Sequence, residues 1–353
     1  MAGYQFSGGG CCCCLTFYES TGGSVYFHNY LHLPSTEVSP TDPEALQSEK
    51  YHAPDPWGPD FAVLNSFDFD PKNSLIFGCV VSKNTAPGYA YLIKYDKQYR
   101  NPEAPLVTLT PTSTTTIRCC AADWANERVF YTMIITSGGV RTGYLRRVDY
   151  DGTNDTLLTS WTEVVAVNTS GMAVAYCRTN GKAYFIAAKS GDAASIYSIN
   201  ADGSGEVLVV SHGSNTRVIA LDIDHVNSKL VYNERDFTGI GSPSGYLRRC
   251  NLDGSNIETI YIGAPVAASP TTNAWRVWEV QYCAKSDRVW WSMDNAGPAS
   301  TDFNGGIWSV RPDGTDARME ISRWMNDNAD ANVVSNVFRL GCGIEQTGPA
   351  TLG

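Results

Sequence analysis

A unit of four short strands recurs along this chain, and the recurrence leaves few folds open. Its clearest copy runs from Ile219 to Gly263, IALDIDHVNSKLVYNERDFTGIGSPSGYLRRCNLDGSNIETIYIG. Ile219 to Asp224 alternates around Leu221 and Ile223, and Asn227-Ser228 marks a turn. Lys229 to Glu234 carries Leu-Val-Tyr, a Gly/Ser/Pro loop leads to Tyr246 to Leu252, and Asp253-Gly254 turns the chain into Ile257 to Ile262. Alternating apolar residues, β-branched and aromatic enrichment, and Asn/Asp/Gly punctuation specify strands joined by tight turns.

Aligned on its second strand, the unit appears five times. The copies hold SFDFDPKNSLIFGC (Ser66 to Cys79), CCAADWANERVFYTM (Cys119 to Met133), AVAYCRTNGKAYFIA (Ala173 to Ala187), the stretch above, and VQYCAKSDRVWWSMD (Val280 to Asp294). Asp-Gly turns start at Asp151, Asp202, Asp253 and Asp313, which are 51, 51 and 60 residues apart. The Gly/Pro/Ser/Asn-rich loop Asp294 to Gly305 absorbs the longer last step. Periods of this size with four strands each mean propeller blades. Blades 1 to 5 are expected at about 61–110, 114–161, 164–212, 216–263 and 275–323.

Both ends remain. Asn336 to Gly348 reads as a lone first strand, Cys14 to Ser20 as a second and Ser24 to Leu33 as a third. The proline-rich segment Pro34 to Asp60 supplies an outer strand and a long surface connection, with a short helical turn at Pro43 to Ser48. The expectation is one all-β domain over residues 1–353, a six-bladed β-propeller of four-stranded antiparallel blades. Its last blade is a composite of 1–60 and 333–353, closed by strands from both termini, which protects the sheet edges at the seam.

The repeats resemble the YWTD units of the low-density-lipoprotein-receptor class B family, which form six-bladed propellers. Ala121-Ala122-Asp123-Trp124 with Val129-Phe130-Tyr131-Thr132 is similar to the first half of that motif, and Val289-Trp290-Trp291-Ser292 to the same strand in another copy. Leu252-Asp253-Gly254-Ser255-Asn256 is similar to its end. No copy holds an intact YWTD: Met133, Glu234 or Met293 replaces the Asp. The resemblance implies the fold. Related propellers include enzymes, secreted binding proteins and viral structural components, so it leaves the function open.

First strands line a propeller's channel, so their polar residues, His225 among them, are the ligand candidates. Asp70, Asp123 and Asp224 fall at the repeat's structural Asp, where a carboxylate ties a strand end to the next turn or a neighbouring blade. Cys177 and Cys283 align with it. Asp68, Asp222, Glu279, Gln281 and Glu345 remain as channel or ligand candidates. Asp68 and Asp222 lie two residues before the structural Asp and share its face. A calcium-dependent lactonase-like site would use such carboxylates, but Ala121, Ala175 and Gln281 stand at that position in the other copies.

No catalytic residue is assigned. The five His are scattered, and no nucleophile elbow, phosphate-binding loop or zinc-protease motif occurs. Asn326 to Asp330 lacks the glycine and closing glutamate of a calcium loop. Of the eleven Cys, Cys11 to Cys14 alternate between faces of one strand and cannot close a tetrahedral zinc site; the leading expectation is free, mostly buried thiols, with a bridge or a metal held by two of the four and Cys342 as the alternative. Arg146-Arg147 and Arg248-Arg249 are expected to pair with carboxylates. Trp57, Trp161, Trp275, Trp278 and Trp324 fall in or beside inter-strand segments. Asn154-Asp155-Thr156 and Asn168-Thr169-Ser170 are glycosylation sequons, relevant only to an exported chain.

The formal charge of −10 and pI near 5.0 argue against a nucleic-acid partner. No apolar run reaches the ~18 residues of a membrane span, and the N-terminus lacks a secretory pattern. Synthesis in the cytoplasm is expected; the final location is left open between the cell interior, a virion or other assembly surface reached by lysis or assembly, and export by a leader outside this sequence. The leading expectation is a non-enzymatic module binding other protein subunits or a surface glycan, as an oligomer or assembly component, with no cofactor. The alternatives are a metal-dependent lactonase- or lyase-type enzyme with a channel site, and a receptor-like extracellular module.

Overall fold

The computed structural model describes residues 14–21, 24–31, 49–52, 61–70, 72–73, 75–82, 90–96, 105–109, 114–163, 173–189, 194–213, 216–236, 245–262, 275–284, 286–295, 306–322 and 340–342. The expected helical turn at Pro43 to Ser48, Cys11 to Cys13, Trp57, Trp324, Glu345, the sequon at Asn168 and the run Asn326 to Asp330 lie outside them. No helix among the described residues is long and apolar enough to cross a membrane.

Five antiparallel sheets follow one another, each built from four consecutive strands. Blade 1 holds β4 (Phe61–Asp70), β5 (Leu75–Ser82), β6 (Ala90–Asp96) and β7 (Val107–Leu109). Blade 2 holds β8 (Thr114–Asp123), β9 (Arg128–Ser137), β10 (Val140–Asp149) and β11 (Thr156–Glu163). Blade 3 holds β12 (Val174–Cys177), β13 (Lys182–Ala187), β14 (Ser195–Asn200) and β15 (Val207–Val210). Blade 4 holds β16 (Thr216–Asp224), β17 (Lys229–Asp236), β18 (Tyr246–Asn251) and β19 (Glu258–Ile262). Blade 5 holds β20 (Trp275–Cys283), β21 (Arg288–Asn295), β22 (Gly306–Val310) and β23 (Arg318–Ser322). This is the architecture of a β-propeller with four-stranded antiparallel blades.

The remaining strands are β1 (Cys14–Thr21), β2 (Ser24–Leu31), β3 (Glu49–His52) and β24 (Leu340–Cys342). They pair in the order β24-β1-β2-β3, with Leu15 opposite Cys342 and Phe17 opposite Leu340. The innermost strands touch in sequence, β4 with β8, β8 with β12, β12 with β16 and β16 with β20, and β24 touches both β20 and β4.

Two bulges recur. Each long inner strand skips a residue against its partner, at Asn65, Arg118 and Trp278 and across Ile219-Ala220. Each outer strand of blades 2 to 4 also bulges, at Leu158, Val209 and Ile260. A bulge bends its strand and re-aims the unpaired residue. Here the bulged carbonyl of one outer strand faces the Asp-Gly turn of the next blade. A Cβ on Gly203 would lie 3.3 Å from the Leu158 oxygen, on Gly254 1.9 Å from that of Val209, and on Gly314 3.0 Å from that of Ile260. These glycines also have φ of +89°, +84° and +84°. Backbone conformation and the neighbouring blade therefore both exclude a side chain.

The turns themselves are alike. In each, the Asp Oδ1 accepts both the N–H and the hydroxyl of the Thr or Ser two residues on, at 2.9 and 2.6–2.7 Å. These bonds hold the carboxyls of Asp151, Asp202, Asp253 and Asp313 below the usual range. The carbonyl just before the Asp receives a donor from the preceding blade: Lys94 Nζ on Tyr150 at 3.1 Å, Arg147 Nη1 on Ala201 at 2.7 Å, Tyr184 OH on Leu252 at 3.2 Å.

Aromatic pairs fill the seams between blades. Phe77 meets Tyr150 at 4.5 Å, Phe130 stacks on Tyr176 at 4.9 Å, and Tyr261 meets Trp291 at 4.8 Å. Trp161 lies within β11 rather than in a connection; it is buried over Gly143 and meets Phe185 at 5.7 Å. Cys79, Cys119, Cys120, Cys177, Cys250 and Cys283 are buried thiols, none of them in a disulfide. Three of the four paired arginines find carboxylates, Arg146 with Asp155, Arg248 with Glu234 and Arg249 with Glu258, whereas Arg147 donates to the Ala201 carbonyl of the next blade.

Candidate functional site

The inner strands all end in the same tie. Asp70 accepts the Asn73 N–H and side-chain amide at 2.9 and 2.8 Å. Asp224 accepts the N–H groups of Val226 and Asn227 and the Asn227 amide. Asp123 accepts from Asn126 Nδ2 at 2.8 Å and Arg128 Nε at 2.7 Å. All three carboxylates are buried. Where the repeat has cysteine, sulfur takes the same place. Cys177 Sγ lies 3.1 Å from the Thr179 hydroxyl, and Cys283 Sγ accepts the Ser286 N–H at 3.4 Å. These residues close each first hairpin, because a short acceptor at a strand end captures the next backbone N–H groups.

Asp68 and Asp222, two residues earlier, reach sideways. Asp68 Oδ2 accepts the Ala122 N–H of β8 at 2.7 Å, and Asp222 Oδ2 accepts the Tyr282 N–H of β20 at the same distance. Each carboxylate thus bonds the residue just before the next blade's structural position. Gln281 occupies the equivalent place in β20; its Oε1 is buried with no hydrogen-bond partner. Glu279 also belongs to β20, although its side chain lies outside the described residues, as does all of Glu345.

The residue immediately after the structural position follows the end of each inner strand. In three neighbouring blades it is Trp124, Arg178 and His225, and in blade 5 it is Ala284. The strand before Arg178, β12, touches both β8 and β16. The Arg178 guanidinium carbon sits 4.7 Å from the centre of the Trp124 ring. Burial lowers the Arg178 pKa, opposed by the negative charges of Asp68, Asp222 and Asp123. His225 is pushed down to about 3, first by burial and then by the charge of Arg178, so it is a neutral imidazole at physiological pH. Arg178 was not among the sequence candidates. Its signal was present only in the register, since Trp124, Arg178 and His225 become equivalent once the repeats are aligned.

The arrangement gathers one delocalised cation, an indole face, a neutral imidazole and two carboxylates already engaged by backbone amides. It offers stacking, positive charge and hydrogen-bond acceptors within one neighbourhood. Among the described residues, no three His, Cys, Asp or Glu side chains converge as metal ligands.

No protein-family model matches the chain, and no curated protein sequence matches it. Solved structures do. TolB from Acinetobacter baumannii is 10% identical with a TM-score of 0.55, over 86% of this chain and 62% of its own. The GH74 enzyme of Niastella koreensis is 14% identical with a TM-score of 0.54, over 86% of this chain and 44% of its own. An oligogalacturonate lyase in complex with manganese is 11% identical with a TM-score of 0.52, over 87% of this chain and 78% of its own. The chain therefore spans less than two thirds of TolB and under half of the GH74 enzyme. Likeness at this identity carries the β-propeller fold and leaves activity undetermined.

Proposed function

We propose that the chain is a single six-bladed, YWTD-like propeller and a non-enzymatic binding module, a protein subunit of a larger assembly such as a virion or filament surface. The observation that carries the binding role is the rim. Leu157, Val207, Leu208 and Ile262, with Ile257 just before β19, are large apolar side chains left exposed on the outer strands of three successive blades. Among the described residues, each of these strands pairs on one side only. An exposed apolar row beside an open strand edge is a surface for another protein chain. The pairing of β24 with β1, and its contacts with β20 and β4, support the sixth blade. The engagement of Asp68 and Asp222 by backbone N–H groups supports a structural rather than catalytic use of the inner ring.

Native mass spectrometry of the full chain, alone and co-expressed with the products of neighbouring genes, tests this reading. A defined oligomer or complex is expected, weakened at least tenfold by Leu208→Lys. A strictly monomeric chain that none of those products accompanies through purification overturns it. So does stoichiometric calcium, manganese or zinc retained after dialysis and lost with Asp222→Asn, because it would place a metal centre in the channel.

A further inference from the structure

The channel end holds a cation that belongs to the chain itself. Arg178 leaves β12 at the position where β8 presents Trp124 and β16 presents His225, and its guanidinium carbon sits 4.7 Å from the centre of the indole. Asp68, which bonds Ala122 two residues before Trp124, comes from blade 1, and Asp222 comes from blade 4. Both act on Arg178 electrostatically, as does Asp123 of blade 2. One side chain of blade 3 is thus addressed by groups from blades 1, 2 and 4. At the corresponding inner-strand position, blades 2 and 3 have Ala121 and Ala175, which offer no carboxylate to reach the next blade.

We propose that the channel end is a guanidinium-binding site which Arg178 fills in cis, tying blades 1 to 4 together at the axis. A planar, delocalised, weakly hydrated cation suits this environment. It stacks on an aromatic face and offers five N–H donors in fixed directions to several carboxylates at once. A lysine ammonium supplies the charge without the stacking or the fork. His225, which the charge of Arg178 helps to keep neutral, adds no competing charge. The inference is independent of the rim and of the assembly it serves.

Chemical rescue tests it in the full-length protein. Arg178→Ala is expected to lower the thermal midpoint by several degrees. Millimolar methylguanidinium chloride should then raise the midpoint of that variant saturably and leave wild type unchanged, while tetramethylammonium chloride at equal ionic strength does nothing. A folded, destabilised Arg178→Ala protein that methylguanidinium does not stabilise overturns the proposal. So does rescue by calcium or manganese in its place, and so does an unchanged midpoint. If Arg178→Ala does not fold, Arg178→Lys, Trp124→Leu and the double variant form a cycle. The double variant is expected to lose clearly less than the sum of the single losses, because Arg178→Lys by itself already removes the stack on the indole; additive losses overturn the proposal.

Discussion

Replacing the glycine of an Asp-Gly turn separates two reasons for its presence. Gly254 has φ +84° and a Cβ there would lie 1.9 Å from the Val209 carbonyl oxygen of the preceding blade. Gly181 has φ +70°, yet a Cβ there would meet nothing within 4 Å. Both variants bear the cost of a left-handed alanine, about 1–2 kcal/mol. Only Gly254→Ala must also push two blades apart, and overpacking of this kind adds about 1–3 kcal/mol. The expected losses are therefore about 1–2 kcal/mol for Gly181→Ala and about 2–5 kcal/mol for Gly254→Ala. At about 2 °C per kcal/mol for a domain of this size, the thermal midpoint should fall by roughly 2–4 °C and by roughly 4–10 °C respectively. Gly203→Ala, with its Cβ 3.3 Å from the Leu158 oxygen, should fall between them. Circular dichroism melts of the variants, with urea midpoints as a second measure, give the ranking. Equal losses for Gly254→Ala and Gly181→Ala would show that the turn's own conformation is the whole reason for the glycine, and would refute the seam contact.

The same structure fixes other outcomes. Asp68→Ala leaves the Ala122 N–H without its 2.7 Å acceptor and should cost about 1–3 kcal/mol, whereas Asp68→Asn keeps an acceptor and should cost less; denaturant midpoints of the pair decide. The folded chain keeps His225 neutral down to about pH 3, while the unfolded chain protonates it near 6.5. Stability contributed by its neutrality is therefore complete above pH 6.5 and declines as pH falls toward 3. Allowing for its partial exposure, His225→Gln should flatten the acid limb by on the order of 1–2 kcal/mol between pH 6.5 and 4, and an unchanged limb counts against the buried neutral imidazole. Arg288→Met removes a buried guanidinium bonded to the Ser309 hydroxyl and Asp316, both at 2.6 Å, with a loss of about 2–3 kcal/mol read from urea midpoints. Cys250, buried and pushed up to about 12, should not react with a disulfide reagent at pH 8 until the protein is unfolded; rapid native labelling would contradict its burial.

The strands and their grouping in fours were written locally. Alternation, turn residues and the spacing from Asp151 to Asp202 to Asp253 require only neighbours in the chain, and so they can be read along it. The structural role of Asp70, Asp123 and Asp224 was legible for the same reason, since each bonds groups within five residues of itself. Trp161 was harder to place, because Phe185 and Lys189, which lie against its ring, belong to another blade.

What the sequence could not specify is which partner each polar group meets across a seam. Asp68 and Asp222 carry the residue type of a channel ligand, but sheet packing brings a backbone N–H from more than 50 residues away within hydrogen-bonding distance. Arg178 has no local mark at all; its significance comes from Trp124, on whose ring it stacks, and from His225 at the same register position in the next blade. The Asp-Gly turn spans both levels. Its spacing and its glycine are properties of the chain, set by the positive φ that a tight turn requires. The second demand on that glycine comes from the bulged carbonyl of the blade before it, a contact that exists only once the blades are packed side by side.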